Sequence, residues 1–95
     1  MTQPEPVGTL DVALNHATRL LNTQPQMAAE QAAEILAAVP GHPHARLLLG
    51  VARRLLGDLE GALEVLEPLA REQVRSAASQ IEYGIVLGQI GRAHV

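Results

Sequence analysis

The stretch Pro40–Gly57, PGHPHARLLLGVARRLLG, predicts a turn, an apolar helix and a second turn. Gly50 lies in the middle of the predicted helix, where glycine costs about 1 kcal/mol relative to alanine. A helix tolerates such a glycine where another element must approach it closely. Gly57 is placed to end the helix as a C′ glycine, and Asp58 is placed to cap the helix that follows.

One spacing recurs along the chain. Three landmarks share it, namely Gly50 and Gly84, Gly57 and Gly91, and Ala28 and Ala62. The common period is about 34 residues, which is that of the helix-turn-helix unit of the tetratricopeptide repeat. The chain resembles this family over residues 9–95, and the resemblance implies a short right-handed solenoid of antiparallel helices.

The family pattern, W-x2-L-G-x2-Y…A-x3-F…P, is matched here by its small residues and not by its aromatic ones. In the second repeat the pattern falls on Arg46, Leu49-Gly50, Arg53, Ala62 and Leu66. The resemblance implies that the glycine and the alanine let the two helices of the repeat approach each other. We therefore expect Gly50 to contact Ala62.

Hydrophobic periodicity predicts an all-α chain of five helices in about two and a half repeats. The predicted helices cover residues 10–22, 25–38, 43–56, 59–75 and 77–90, with Thr9 as the first N-cap, Pro40 ending the second helix and Gly91 ending the last. We expect repeats at residues 9–42, 43–76 and 77–95, the third incomplete, after a flexible leader of residues 1–8. The residue of the first repeat that corresponds to Gly50 should also be small. Strict spacing of 34 residues places His16 there, whereas size favours Ala17.

Composition narrows the classes of function. The 95 residues contain no cysteine, which excludes a disulfide framework and a thiolate metal site. The net charge of −3 offers no electrostatic footprint for nucleic acid. No run approaches the roughly 20 apolar residues of a membrane span, and the N-terminus lacks the features of a signal peptide. We therefore expect a soluble cytoplasmic protein that binds neither nucleic acid nor a membrane.

The sequence contains no convincing catalytic or metal-binding constellation, so we expect no cofactor and no enzymatic activity from this chain by itself. His42 and His44 form half a metal site at most, because His16 and His94 lie far along the chain. A surface turn beside Pro43 explains the pair better.

The resemblance implies a concave surface formed by the first helix of each repeat. The candidate residues for binding a protein or peptide partner are His44, Leu47, Val51, Arg54, Leu55, Ile81, Ile85 and Gln89. Ala78 and Gly88 lie at two further positions of the same surface. Most are apolar, which suits an apolar peptide or helix. The family's basic clamp for a peptide C-terminus is absent from these positions, which argues against a chaperone-tail receptor. The alternative is that these side chains are core or are covered by further repeats. If an anionic partner binds instead, Arg53 and Arg54 are the candidates.

A second resemblance covers residues 28–70, which are similar to the repeats found ahead of bacterial sulfotransferase-type domains. It implies an alternative function, as the N-terminal accessory or assembly module of a larger sulfotransferase-like enzyme. No sulfotransferase phosphosulfate-binding motif occurs in the sequence, so no catalytic residue is carried over.

The last predicted helix is apolar on nearly every side. Its apolar residues are Ile81, Tyr83, Ile85, Val86, Leu87 and Ile90. One neighbouring helix covers one side only, and terminal repeats normally end in a polar face. We therefore expect this helix to pack against a second copy, as a homodimer, or against a continuation of the parent chain. The leading function is a non-catalytic protein–protein interaction scaffold.

Overall fold

The computed structural model of the chain describes residues 6 to 93, with side chains from residue 9 onward. It contains five helices: α1 (Pro6–Leu20), α2 (Pro25–Ala38), α3 (Pro43–Leu55), α4 (Leu59–Glu72) and α5 (Ala77–Ala93). Each helix packs on the next, and α3 also contacts α1 and α5. The starts of α2 and α4 are separated by one repeat period, as are those of α3 and α5. The predicted all-α class with five helices is confirmed, and the arrangement is consistent with a helical repeat.

The turn between α3 and α4 is built as the sequence predicts. Gly57 has a φ of +84°, and its backbone N–H donates to the Arg54 carbonyl at 3.0 Å. The Asp58 N–H donates to the Arg53 carbonyl at 2.9 Å, which completes a Schellman C-cap. The Asp58 carboxylate then accepts a hydrogen bond from the Gly61 N–H at 3.0 Å and caps α4. One turn therefore ends α3 and starts α4.

The start of α1 differs from the predicted boundary. The helix includes Pro6, the first described residue, so Thr9 lies inside it and is not its N-cap. The expected leader is thus helical from residue 6, and residues 1–5 lie outside the described part of the chain.

The end of α5 also differs. Gly91 does not end this helix, which continues to Ala93. Gly41 and Gly57 are the described glycines with positive φ, so Gly91 keeps helical backbone. α4 ends at Glu72, three residues before the predicted boundary, and the Ser76 hydroxyl accepts from the Ser79 N–H at 3.2 Å ahead of α5.

Two clusters of buried side chains form the interior. The first joins α1, α2 and α3 through Leu14, Ala17, Ala32, Ile35, Ala45 and Leu48. The second joins α4 and α5 through Ala62, Leu66, Leu69 and Val86, with Leu47, Leu63, Tyr83 and Ile90 packed against it. Ala17 is fully buried whereas His16 is exposed, so the small position of the first repeat is Ala17.

The close approach expected at Gly50 is present, and the atoms nearest to it belong to Leu66. A Cβ atom at Gly50 would lie 2.5 Å from Leu66 Cδ2 and 2.6 Å from Leu66 Cγ. Leu66 is fully buried, as is Ala62 in the same cluster. The absent side chain at Gly50 therefore makes room for a leucine of α4, and the expected contact between Gly50 and Ala62 stays a prediction.

Gly84 occupies the equivalent position of α5, and no such neighbour lies there. A Cβ at Gly84 would meet no atom of the described residues within 4 Å. Within the described residues, Gly84 therefore has no counterpart of the contact that Leu66 makes at Gly50. None of the described helices is both long and apolar enough to span a membrane.

Candidate partner-binding surface

The predicted concave residues lie on two neighbouring helices, which we call together the α3–α5 surface. It consists of His44, Leu47, Val51, Arg54 and Leu55 on α3 and of Ile81, Ile85 and Gln89 on α5. The two helices are in contact, and an ion pair joins them. In this pair Arg54 Nε lies 2.9 Å from Glu82 Oε2, and both side chains are largely buried.

Four of the eight residues are exposed and four are half-buried. The exposed ones are His44, Leu55, Ile81 and Ile85. Ile81 is 59% exposed and Leu55 40%, both high values for large aliphatic side chains. Leu47 packs against the buried cluster of α4 and α5. For this residue, the alternative interpretation as part of the core therefore applies.

Cations near this surface are engaged inside the chain. Arg54 pairs with Glu82 at 2.9 Å, and Arg53 Nη1 donates to the Gly61 carbonyl at 3.0 Å. Arg46 binds both carboxylate oxygens of Glu72, at 2.9 and 2.8 Å. These hydrogen bonds from Arg46 hold the pKa of the Glu72 carboxyl below its usual value. The α3–α5 surface is therefore mostly apolar, and the positive charge of Arg54 within it is balanced by Glu82.

A small cavity lies beside the N-terminal end of α3. Its volume is about 220 Å³, and it is lined by Pro43, His44, Leu47, Gln73, Ser76 and Ser79. His44 and Leu47 are thus brought together with the α4–α5 connection. His42 lies just before them, where its Nδ1 accepts from the Ala45 N–H at 3.2 Å and caps α3. The part of the chain that the structure describes holds no group of three or more side chains placed to bind a metal ion.

Two further concavities were not predicted. One, of about 480 Å³, lies between α1 and α2 and is lined by Thr9, Leu10, Ala13, Gln31, Glu34, Ile35, Ala38 and Val39. The spacing of Leu10 and Ala13 is that of one side of a helix, but it does not indicate that part of this side remains uncovered. The other, of about 400 Å³, lies between α4 and α5, where Glu60, Glu64 and Glu67 border Leu63, Pro68 and Ile90.

Tyr83 is hydrogen-bonded to Glu67, one of the residues that line the α4–α5 concavity. Its hydroxyl donates to Glu67 Oε2 at 3.0 Å. This hydrogen bond to a carboxylate favours the neutral phenol and raises the pKa of Tyr83. Glu67 also lies 3.5 Å from Arg71, so its charge is partly balanced.

No family model and no solved structure matches the sequence. Two curated proteins, from human and mouse, are similar to it, and both are described as FK506-binding protein-like. They are 38% and 37% identical to the chain over 73 residues. The match covers 77% of this chain and 21% of each relative, so the chain spans about a fifth of the length of the curated relatives it matches. These matches give no support to a sulfotransferase connection.

Proposed function

We propose that this chain is a non-catalytic protein-interaction module of the tetratricopeptide-repeat type, which binds an apolar peptide or helix on the α3–α5 surface. The observation that carries the proposal is the exposure of Ile81, Ile85 and Leu55 on α5 and α3, two helices that are in contact. Isolated exposed aliphatic side chains are common, but several on one surface mark an interaction site.

The chemistry of the surface selects an apolar partner. Arg54 is neutralised by Glu82, so a charged ligand finds no free counter-ion in the middle of the surface. Burying the part of Ile81, Ile85 and Leu55 that is still exposed contributes about 0.5–2 kcal/mol each to binding before ordering costs. β-branched isoleucines also lose little rotamer freedom on binding, because their χ1 is already restricted.

The similar proteins support a modular role. The match covers 77% of this chain but only 21% of each relative, as expected of a unit that occurs within larger proteins. We propose that the shared 73 residues carry the helical unit itself.

The test compares partner capture by the wild type and by a variant with Val51→Asp and Ile85→Asp. Proteins retained by the immobilised chain are identified, and the affinity of each purified partner is then measured. We expect the variant to lose binding while its far-UV circular dichroism remains helical. Because Val51 is half-buried, Ile81→Asp serves as a second variant at a more exposed position.

The matched control is Val12→Asp, which introduces the same charge on α1 at a residue that is 67% exposed. It should bind as the wild type does. Unchanged binding by both groove variants would contradict the proposal and would direct attention to Arg53 and Arg54.

A further inference from the structure

The α4–α5 concavity continues towards the start of α4. A second concavity, of about 320 Å³, is lined by Gly57, Asp58, Leu59, Glu60, Ile90 and Ala93. It shares Glu60 and Ile90 with the first, so the two form one depression, which we call the acidic cleft. No residue of the α3–α5 surface lines the acidic cleft, so it is a separate surface with its own chemistry.

The acidic cleft combines apolar side chains with a row of carboxylates. Its apolar part consists of Leu63, Pro68 and Ile90. The carboxylates of Glu60, Glu64 and Glu67 follow a spacing of four and three residues, which places them on one side of α4. Seven residues of helix span about 10 Å, so the negative charges extend along the cleft over that distance.

Two of these carboxylates are not compensated. Glu67 is partly balanced by Arg71, 3.5 Å away. Glu60 and Glu64 form no ion pair with any residue that the structure describes. Like charges at i and i+4 of a helix repel each other, and a cation between them removes that repulsion. The cleft therefore favours a positively charged ligand.

Pro68 provides a second, independent feature of the cleft. It lies inside α4 and has no N–H, so the Glu64 carbonyl lacks the donor that a regular helix supplies four residues later. Glu64 and Pro68 both line the cleft, so this acceptor lies beside it. A backbone carbonyl in this position can accept a hydrogen bond from a ligand, and lysine and arginine side chains carry donors only.

The carboxylates are too far apart to share one metal ion. Among residues 9–93, no three His, Cys, Asp or Glu side chains are placed to bind a single ion. A ligand that meets all three glutamates must therefore carry several positive charges over about 10 Å, with apolar groups for the rest of the cleft.

We propose that the acidic cleft binds a basic amphipathic helix of a partner protein, with Lys or Arg at positions i, i+4 and i+7 and aliphatic residues beside them. These positions recur along a helix with the same rise as the three carboxylates of α4, so each cation can face a carboxylate. An extended peptide would leave its N–H and C=O groups unpaired against the apolar residues, whereas a helix satisfies them internally. The partner and its chemistry differ from those proposed for the α3–α5 surface.

The test uses a defined probe, a fluorescent synthetic helix of about 18 residues with Lys at i, i+4, i+7 and i+11 and Leu on the adjacent side. Fluorescence anisotropy measures its Kd at low and at physiological ionic strength, and we expect weaker binding at the higher one. The double variant Glu60→Gln with Glu64→Gln should weaken binding by about 2- to 30-fold, since each exposed ion pair contributes about 1.4- to 5-fold.

The matched control is Glu30→Gln with Glu34→Gln, which removes two exposed carboxylates of the same spacing from α2. It changes the net charge equally and should bind the probe as the wild type does. Equal weakening in the two double variants would overturn the inference, as would a wild type that does not bind the probe at about 1 mM. A peptide of the same composition with its lysines spread around the helix should bind more weakly. Equal binding of the two peptides would refute recognition of a basic helix face.

Pro68→Val separates binding from stability. Valine restores an N–H for the Glu64 carbonyl and keeps an apolar side chain in the cleft, so the Tm should rise. The ligand then loses this acceptor, and we expect the affinity for the probe to fall by about 2- to 12-fold. An affinity that stays unchanged while the Tm rises would refute the part assigned to the carbonyl.

The same proteins keep this inference apart from the proposed function. The variant with Val51→Asp and Ile85→Asp should bind the basic probe at least as tightly as the wild type, because its acidic cleft is unchanged. The variant with Glu60→Gln and Glu64→Gln should still capture apolar partners on the α3–α5 surface. Loss of probe binding in the first variant, with its helicity kept, would place the probe on the α3–α5 surface and overturn the inference.

Discussion

Replacing Gly50 by alanine tests the central packing contact of the fold. The new methyl group would lie 2.5 Å from Leu66 Cδ2, so Leu66 must move by about 1 Å to restore an ordinary contact. Leu66 is fully buried, so it can move only against other side chains of the core. Overpacking of this kind costs about 1–3 kcal/mol, and we expect the upper part of the range because two Leu66 atoms are too close. The higher helix propensity of alanine offsets about 1 kcal/mol.

The net expectation for Gly50→Ala is a loss of about 2 kcal/mol, which lowers the Tm of a domain of this size by roughly 8–16 °C. Gly84→Ala is the matched control one period later. With no neighbour within 4 Å, it should gain up to about 1 kcal/mol and raise the Tm by roughly 4–8 °C. Thermal unfolding by circular dichroism at low protein concentration measures both.

A double-mutant cycle identifies the clashing partner. Leu66→Ala alone should cost about 2–5 kcal/mol, because it empties a buried site. Combined with Gly50→Ala, it should be about 3 kcal/mol less damaging than the sum of the single changes, because the whole clash is removed while the gain in helix propensity remains. A Gly50→Ala protein that melts as high as Gly84→Ala would refute the close contact between Gly50 and Leu66.

Two further predictions concern the ion pair of Glu72 with Arg46 and the pair of glycines Gly57 and Gly91. The pKa of Glu72 is lowered in the folded state, so its contribution to stability is present above the unfolded pKa and is lost as the pH falls through the folded value. Acid titration of the free energy of unfolding should therefore show a shallower decline for Glu72→Gln than for the wild type, and an equal decline would contradict the bond to Arg46. Gly57→Ala should destabilise by about 1–2 kcal/mol because of its positive φ, whereas Gly91→Ala, in helical backbone, should stabilise slightly; chemical denaturation compares them, and a destabilised Gly91→Ala would show that Gly91 ends the helix.

The fold was largely predictable, because its main signals are local or periodic. Apolar segments separated by turn residues give the number of helices. The spacing from Gly50 to Gly84 gives the repeat period, and such a repeat implies that each helix packs on the next. The nearest contact of Gly50 was not predictable in the same way. Whether Leu66 or Ala62 lies over the glycine depends on the crossing of α3 and α4, which sequence spacing does not specify.

The candidate surface was predictable only as a set of positions. The family resemblance placed Val51, Ile81 and Ile85 on one side, and the structure leaves both isoleucines exposed. The ion pair that neutralises the surface was not predicted, because Arg54 and Glu82 lie 28 residues apart on different helices. Such a pair becomes visible only when the distance between α3 and α5 is known.

Gly57 and Gly91 show why a repeat period alone does not determine where a helix ends. They are separated by one period, yet Gly57 adopts a positive φ whereas Gly91 continues its helix. The difference lies in the next residue, since Asp58 caps α4 through the Gly61 N–H at 3.0 Å and the equivalent residue, Arg92, has no acceptor to offer a helix start. A glycine followed by a capping residue stabilises both the end of one helix and the start of the next. A glycine without such a residue allows a turn but does not stabilise the start of a following helix. At Gly91 the backbone therefore keeps its helical conformation, and α5 continues to Ala93.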